Sequence, residues 1–158
     1  MSPEHITSEQ AVEMFGRIPQ VATSFTVSTE QVRSEYGHVT EPSQAEMYFS
    51  EVMRIMDARG IGFQVLVENG IKPNVLQGKN DLLRELRVGD EVVMITDTVE
   101  LDKQIRFDQA MTRGGKDVGS HTYTVDLRGM RRGIAVNIPL WVSEKLRTNI
   151  DQTETISI

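Results

Sequence analysis

The hydrophobic period of this chain changes near Gly70 from the spacing of a helix to the alternation of strands, and this change constrains the fold most. Before it, apolar residues recur three and four positions apart, on one helix face: Ala45, Tyr48, Phe49, Val52, Ile55 and Met56. Proline is tolerated in a first helical turn, so the helix can start near Pro42, run to Ala58 and end at Gly60. The pattern predicts one long helix with a buried face.

Segments that alternate between apolar and polar residues lie on both sides of this helix. They predict strands over 21–28, 71–83, 91–101, 105–111, 118–127 and 133–138. Gly114 and Gly115 form a two-residue hairpin turn, because glycine accepts the positive φ that such turns need. An antiparallel sheet wrapped around the one apolar helix buries both kinds of element. The predicted fold class is therefore α+β.

The chain ends predict smaller elements around this centre. Thr7 and Gln10 have the spacing of a capping box, which predicts a short N-terminal helix over 8–17. Pro139 begins a short C-terminal helix, and residues 151–158 are expected to be a frayed tail. With 158 residues, 39% of them hydrophobic, the chain is long enough for one packed domain and short for two. A single domain over 1–158 is the expectation.

Charge and composition disfavour several classes of function. The net charge of −6 does not favour binding to the phosphate backbone of nucleic acid. The absence of cysteine excludes disulfides, thiolate metal sites and a cysteine nucleophile. No apolar run approaches the length of a membrane span, so a cytoplasmic protein is expected. The three histidines lack a matching spacing of acids, and neither a metal site nor a cofactor is predicted.

Three segments resemble the hotdog fold, and most closely the 4-hydroxybenzoyl-CoA thioesterase branch of acyl-CoA thioesterases. They are Gly37-His38-Val39 before the long helix, Gly70-Ile71 leading to 83–90, and Arg131-Arg132 followed by Ile138-Pro139. Together they span roughly residues 25–146. The resemblance implies a homodimer or homotetramer whose sites lie between subunits. It also implies an acyl thioester of coenzyme A or of an acyl carrier protein as substrate.

Thioester hydrolysis requires backbone donors aimed at the carbonyl oxygen and a carboxylate that attacks or activates water. The amino end of the helix near Pro42 offers free N–H groups and partial positive charge. Proline has no N–H, so the predicted oxyanion donors are the backbone groups of Glu41, Ser43 or Gln44.

The catalytic acid departs from the pattern of the resembled branch. That branch has an aspartate three residues before the glycine, and Ser34 stands there in this chain. Glu35, Glu41 and Glu51 are the possible substitutes. Another hotdog thioesterase branch places its glutamate about two turns into this helix, which favours Glu51. The alternative is that Glu51 is a solvated helix residue paired with Arg54.

The histidines and a group of arginines complete the candidate site. His38 either positions a water or contacts the thioester carbonyl, or it only caps the neighbouring backbone. His121 alternates onto the face of Tyr123 and Val125, which predicts a buried, hydrogen-bonded histidine. Three arginines cluster near one turn and suit coenzyme A phosphates or a carrier protein surface, or else only solubilise the sheet: Arg128, Arg131 and Arg132.

Two classes of function follow from these residues. The first is a thioesterase that uses a displaced carboxylate. The second is a hotdog protein that binds an acyl thioester or related metabolite without hydrolysing it, or that catalyses dehydration, cyclisation or acyl transfer. The absent aspartate at Ser34 favours the second class, while the Gly37-His38-Val39 frame and the arginines favour the first.

Overall fold

The computed structural model describes residues 7–28, 41–82, 86–150 and 155–157. The helices of this part are α1 (Ser8–Phe15), α2 (Glu41–Ala58), α3 (Phe63–Glu68) and α4 (Leu140–Leu146). Its strands are β1 (Val21–Thr26), β2 (Ile71–Leu82), β3 (Glu91–Glu100), β4 (Gln104–Arg113), β5 (Lys116–Gly129) and β6 (Thr155–Ser157).

The described strands form one sheet in the order β2-β5-β4-β3-β1-β6. Neighbouring strands run antiparallel, except that β6 runs parallel to β1. The turn between β4 and β5 is formed by Gly114 and Gly115, with φ of +59° and +79°, as the sequence predicted. The predicted α+β architecture, an antiparallel sheet wrapped around one long helix, is confirmed.

Helix α2 packs on the inner face of the sheet and forms the centre of the core. Tyr48, Val52 and Ile55 from the helix and Phe107 and Val125 from the sheet are each at most 1% exposed. Burying a large apolar side chain stabilises the fold by about 1.5–3 kcal/mol. These contacts hold the helix directly over β3, β4 and β5.

The buried face of α2 differs from the apolar stripe expected from the sequence. Ala45 and Phe49 are only partly buried, whereas Gln44, Met47 and Glu51 are at most 2% exposed. The sheet curves around the helix and therefore covers more than one narrow stripe. As a result, polar residues beside the stripe are also enclosed.

The N-terminal helix begins as predicted and ends slightly early. Thr7 Oγ1 accepts a hydrogen bond from the Gln10 backbone N–H at 3.2 Å, and the Thr7 N–H donates to Gln10 Oε1 at 2.8 Å. The capping box is thus present. Helix α1 ends at Phe15 because Gly16 turns the chain with φ of +83°.

Two predictions at the carboxyl-terminal side are wrong. Residues 133–138 do not form a strand that closes the sheet, and only Ala135 forms an isolated bridge, to Arg128. Strand β4 pairs with β5 only as far as Asp126, so residues 127–129 of β5 leave an edge that is too short for a full strand. Within the segment expected to fray, Thr155–Ser157 pairs with β1 as β6, because β3 covers only the opposite edge of β1.

Candidate functional site

Helix α2 carries three buried polar side chains on its sheet-facing side, close to its amino end. Gln44, Tyr48 and Glu51 are four and three positions apart and therefore form one helical stripe. Their side chains are at most 1% exposed. The first turns of a helix also present free backbone N–H groups and a partial positive charge. This end of α2 thus combines backbone donors with polar side chains in the protein interior.

A row of polar side chains crosses the inner face of the sheet below this stripe. Thr96 on β3 pairs in register with Gln109 on β4, and Gln109 pairs with His121 on β5. All three residues are at most 2% exposed. Polar groups therefore occupy the floor of the sheet at its centre, where apolar side chains would ordinarily stand.

Direct contacts join the row to the helix. Gln109 Nε2 donates to the Tyr48 carbonyl at 3.0 Å. The His121 ring stacks on the Tyr48 ring, with 5.4 Å between centroids and 16° between planes, and lies 4.2 Å from the Tyr123 centroid. Tyr123 Oη in turn donates to the Ala45 carbonyl at 3.0 Å. The row therefore lies beneath the first two turns of α2.

Four of these residues, here called the buried polar cluster, have side-chain atoms without hydrogen-bond partners: Gln44, Tyr48, Gln109 and His121. Within the described part of the chain, no partner exists for either amide atom of Gln44, for Tyr48 Oη, for Gln109 Oε1, or for either ring nitrogen of His121. Leaving one such group buried and unpaired costs about 1–3 kcal/mol. Native structures tolerate few unpaired groups of this kind, and a cluster of them is typical of a place where water or a ligand binds.

The buried polar cluster is uncharged at neutral pH. Burial lowers the pKa of His121 below its ordinary value, so the imidazole is neutral. Burial also raises the pKa of Tyr48 and of Tyr123, so both phenols keep their protons. The cluster therefore offers hydrogen-bond donors and acceptors without formal charge.

Glu51, the third residue of this stripe, forms an ion pair with Arg54 on the side of α2 that faces Thr23 of β1. Arg54 Nε lies 2.5 Å from Glu51 Oε1, and an Nη of Arg54 lies 3.2 Å from Oε2 and 2.8 Å from Thr23 Oγ1. The predicted pairing with Arg54 is confirmed. The expectation that Glu51 is solvated is wrong, because its side chain is fully covered while that of Arg54 is 30% exposed.

The other predicted site residues fall into two groups, those outside the described residues and those in the first turn of α2. Ser34, Glu35 and His38 lie outside the described residues. Glu41 and Ser43 belong to the first turn of α2, as expected from the start predicted near Pro42. Their roles as donors stay predictions.

The arginine cluster lies away from the amino end of α2 within one chain. Arg128 donates to Asp126 Oδ2 at 2.7 Å and to the Gly133 carbonyl at 2.8 Å. Arg131 and Arg132 are exposed on the turn that follows. From Tyr123 to the end of β5 is six residues, or about 20 Å along an extended strand. The structure thus does not join these arginines to the helix end.

The sequence did not single out Thr96 or Gln109 as site residues. Alternation placed Gln109 between Phe107 and Met111 on an inner face, but only the register across three strands shows that it meets His121. His121 is buried, as predicted. The expectation that it is hydrogen-bonded is not met by any described partner.

The residues that the structure describes contain no group of three or more histidine or acidic side chains that could hold a metal ion. None of their helices is long and apolar enough to cross a membrane.

Comparisons with known proteins identify the fold. A 1,4-dihydroxy-2-naphthoyl-CoA thioesterase from Synechocystis has a TM-score of 0.73 at 8% identity, covering 81% of this chain and 96% of that one. A hypothetical protein from Staphylococcus aureus, in complex with CoA, has a TM-score of 0.72 at 14% identity, covering 90% and 97%. An acyl-ACP thioesterase from Bacteroides thetaiotaomicron has a TM-score of 0.66 at 12% identity, covering 83% and 51%.

No protein-family model and no curated protein sequence matches the chain. At these identities the solved structures establish the architecture alone. The chain has the hotdog fold that its sequence resembles.

Proposed function

We propose that this protein hydrolyses acyl thioesters of coenzyme A or of an acyl carrier protein. The observation that carries the proposal is the position of the α2 amino end above a buried cluster of unpaired, uncharged polar side chains. The likeness to thioesterases, and to a protein in complex with CoA, supports the same substrate class. The chemistry must then be assigned to this chain's own residues.

The amino end of α2 serves as the oxyanion hole. Backbone N–H groups of Glu41, Ser43 or Gln44 donate to the thioester carbonyl oxygen, which gains negative charge as the tetrahedral intermediate forms. The partial positive charge of the helix end adds to this stabilisation. Pro42 contributes no donor, so these three positions share the role.

A carboxylate activates the attacking water. It takes one proton as the water oxygen bonds to the carbonyl carbon; the carbon–sulfur bond then breaks, and the departing thiolate receives that proton. Glu51 is the proposed base, with Glu35 and Glu41 as the alternatives to be tested. His38, four residues after Ser34 in the sequence, is proposed to orient the water.

Arg128, Arg131 and Arg132 are proposed to bind coenzyme A phosphates or the acidic surface of a carrier protein. Arg131 and Arg132 are exposed, so their guanidinium groups are accessible to these phosphates or to a carrier protein. Because the cluster is distant from the helix end in one chain, the proposal fits a homodimer or homotetramer in which a second subunit brings its own arginines to the site.

The test of hydrolysis is a panel of acyl-CoA and acyl carrier protein thioesters with a free-thiol readout. Replacing Glu51 with Gln is expected to reduce kcat by about 100-fold or more, a typical contribution of general-base catalysis, without loss of fold. Glu46→Gln is the matched control, because Glu46 lies on the exposed side of the same helix. Full activity of Glu51→Gln would eliminate Glu51 and direct the same substitution to Glu35 and Glu41.

A second candidate is favoured by the ion pair of Glu51. Arg54 contacts both carboxylate oxygens, and Ser34 replaces the usual aspartate, so a protein that binds a thioester without hydrolysing it fits as well. Dehydration, cyclisation and acyl transfer belong to the same alternative. Measurable binding of CoA without release of thiol from any thioester would favour this candidate.

A further inference from the structure

We propose that the buried polar cluster binds the acyl group and selects an uncharged one that carries a hydroxyl or keto oxygen beyond the thioester carbonyl. This inference rests on the proposed function, because it places the thioester itself at the amino end of α2. It assigns Tyr48 and His121 as specificity-determining residues. Neither residue belongs to the oxyanion donors or to the candidate bases.

The unpaired atoms of the cluster include both hydrogen-bond donors and acceptors. Gln109 Oε1 is an acceptor, Tyr48 Oη is a donor, and the neutral His121 ring offers one nitrogen of each kind. Gln44 adds an amide with both. A hydroxyl can pair with donors and acceptors and a keto oxygen with the donors, whereas a methyl group in the same place leaves all of them buried and unpaired. Sites of this type discriminate strongly against apolar analogues.

The surroundings of the cluster disfavour a charged acyl group. His121 and the neighbouring rings of Tyr48 and Tyr123 are neutral, and Gln109 carries no charge. Of the two arginines carried by α2 and the turn after it, Arg54 is partly exposed and contacts Glu51, and Arg59 donates to Thr98 and Pro19. A buried carboxylate would thus lose its hydration without gaining a free cation.

The helix geometry sets where the oxygen should stand. Gln44 lies in the first turn of α2, and Tyr48, which contacts both Gln109 and His121, lies one turn further on. One turn corresponds to about 5.4 Å along the axis. An extended acyl chain has bonds of about 1.5 Å and advances about 1.3 Å per bond, so roughly four bonds cover that distance. The preferred oxygen therefore lies about four bonds beyond the thioester carbonyl carbon.

Three CoA thioesters whose acyl groups have the same arrangement of heavy atoms test this inference. Levulinyl-CoA carries a keto oxygen at the required place, isocaproyl-CoA carries a methyl group instead, and succinyl-CoA carries a carboxylate. With spontaneous hydrolysis subtracted, kcat/KM for levulinyl-CoA is expected to exceed that for isocaproyl-CoA by about 10–100-fold, and succinyl-CoA to be poorer still. Equal values for levulinyl-CoA and isocaproyl-CoA would overturn the inference while leaving hydrolysis established.

Two variants locate the preference in the cluster. Tyr48→Phe and His121→Phe are each expected to reduce the levulinyl preference to about threefold or less, since each removes an unpaired donor from which the keto oxygen can accept a hydrogen bond. Thr122→Val is the matched control, because Thr122 follows His121 on β5 and points to the outer face, where it contacts Asp108. Thermal unfolding of each variant verifies the fold. An unchanged preference in both cluster variants would show that the cluster holds ordered water only, and would overturn the inference.

A separate binding measurement distinguishes failure of the proposed hydrolysis from failure of this inference. CoA thioethers with the same three end groups cannot be hydrolysed, and calorimetric titration gives their affinities directly. If no thioester is hydrolysed but the keto thioether binds most tightly, the selectivity holds for a protein that only binds its ligand. Equal binding of the three thioethers, or binding of none, would overturn the inference.

Discussion

Arg59 and His121 are both buried under α2, but their polar atoms have different partners. Arg59 donates from one Nη to Thr98 Oγ1 and from the other to the Pro19 carbonyl, each at 2.9 Å. Burial and the nearby charge of Arg147 lower its pKa to about 10, so it remains a cation that joins the end of α2 to β3 and to the segment before β1. His121 has no such described partner. At the residue scale, Arg59 therefore has a structural explanation, and the buried polar cluster has a functional one.

His121 makes the stability of the fold depend on pH. Its pKa is lowered in the folded protein and close to 6.5 in the unfolded chain, so the unfolded state binds more protons as the pH falls through that value. The folded state therefore loses stability below about pH 6.5, by at most about 1.4 kcal/mol per pH unit for one proton. The described groups packed against the ring, from Tyr48, Tyr123 and Gln109, do not titrate in this range.

The measurement is the free energy of unfolding in urea between pH 5 and pH 8, a range set by the histidine value. His121→Gln is expected to show a weaker loss of stability at acid pH than the wild type. His5→Gln serves as the control for an ordinary histidine in the polar N-terminus. The assignment would be rejected if His121→Gln retained the full pH dependence of the wild type.

At the scale of elements, the sequence predicted most of the fold because local chemistry determines most boundaries. The capping box at Thr7, the proline at position 42 and the glycine pair at 114–115 each act within a few residues, and each proved correct. The predictions of a strand over 133–138 and of a frayed tail were wrong, because the pairing of these segments depends on which sheet edges are free. That information belongs to the assembled sheet and not to any local segment.

The same distinction explains which parts of the site could be predicted. The helix end and Glu51 follow from spacing along one helix, so the sequence indicates them. The meeting of Gln109 with His121 depends on the register of two strands, and its position beneath Tyr48 depends on how α2 lies over the sheet. Sequence patterns alone do not give register.

Close approach of β2 to β5 at Gly78 yields a prediction for these two strands. A Cβ at Gly78 would lie 2.7 Å from the Thr122 carbonyl oxygen and 3.1 Å from Thr122 Cβ, so one backbone must shift. Gly78→Ala is expected to destabilise the fold by about 1–3 kcal/mol, the usual cost of overpacking. A loss of 1 kcal/mol corresponds to about 2–4 °C in Tm for a chain of this size.

Gly129→Ala is the matched control on the same pair of strands. A Cβ there meets nothing closer than 3.8 Å, which is ordinary van der Waals contact. Its Tm should remain within about 2 °C of the wild type. Equal Tm values for the two alanine variants would contradict the close packing at Gly78.

At the scale of the whole molecule, β2 forms one end of the described sheet, and its outer edge has no neighbouring strand there. Leu76, on this strand, is 45% exposed. An unprotected edge strand is a template for pairing with a second chain. The proposed homodimer would extend the sheet across this edge and would bring residues of two subunits to one site.

The mass of the protein in solution tests this arrangement. For a chain of 17.8 kDa, light scattering is expected to give twice that mass, or four times that mass for a tetramer. Leu76→Lys should shift the equilibrium toward single chains, because lysine on an edge strand opposes pairing. Met14→Lys, which changes an exposed apolar residue on α1, should leave the mass unchanged.

Activity measured on the same samples connects assembly to function. If the site lies between subunits, Leu76→Lys should lose thioester hydrolysis in proportion to the fraction of single chains, and higher protein concentration should restore it by mass action. Wild-type protein that remains a single chain would refute the homodimer. A monomeric Leu76→Lys variant with full activity would place the entire site, including the arginines proposed to bind phosphate, within one chain.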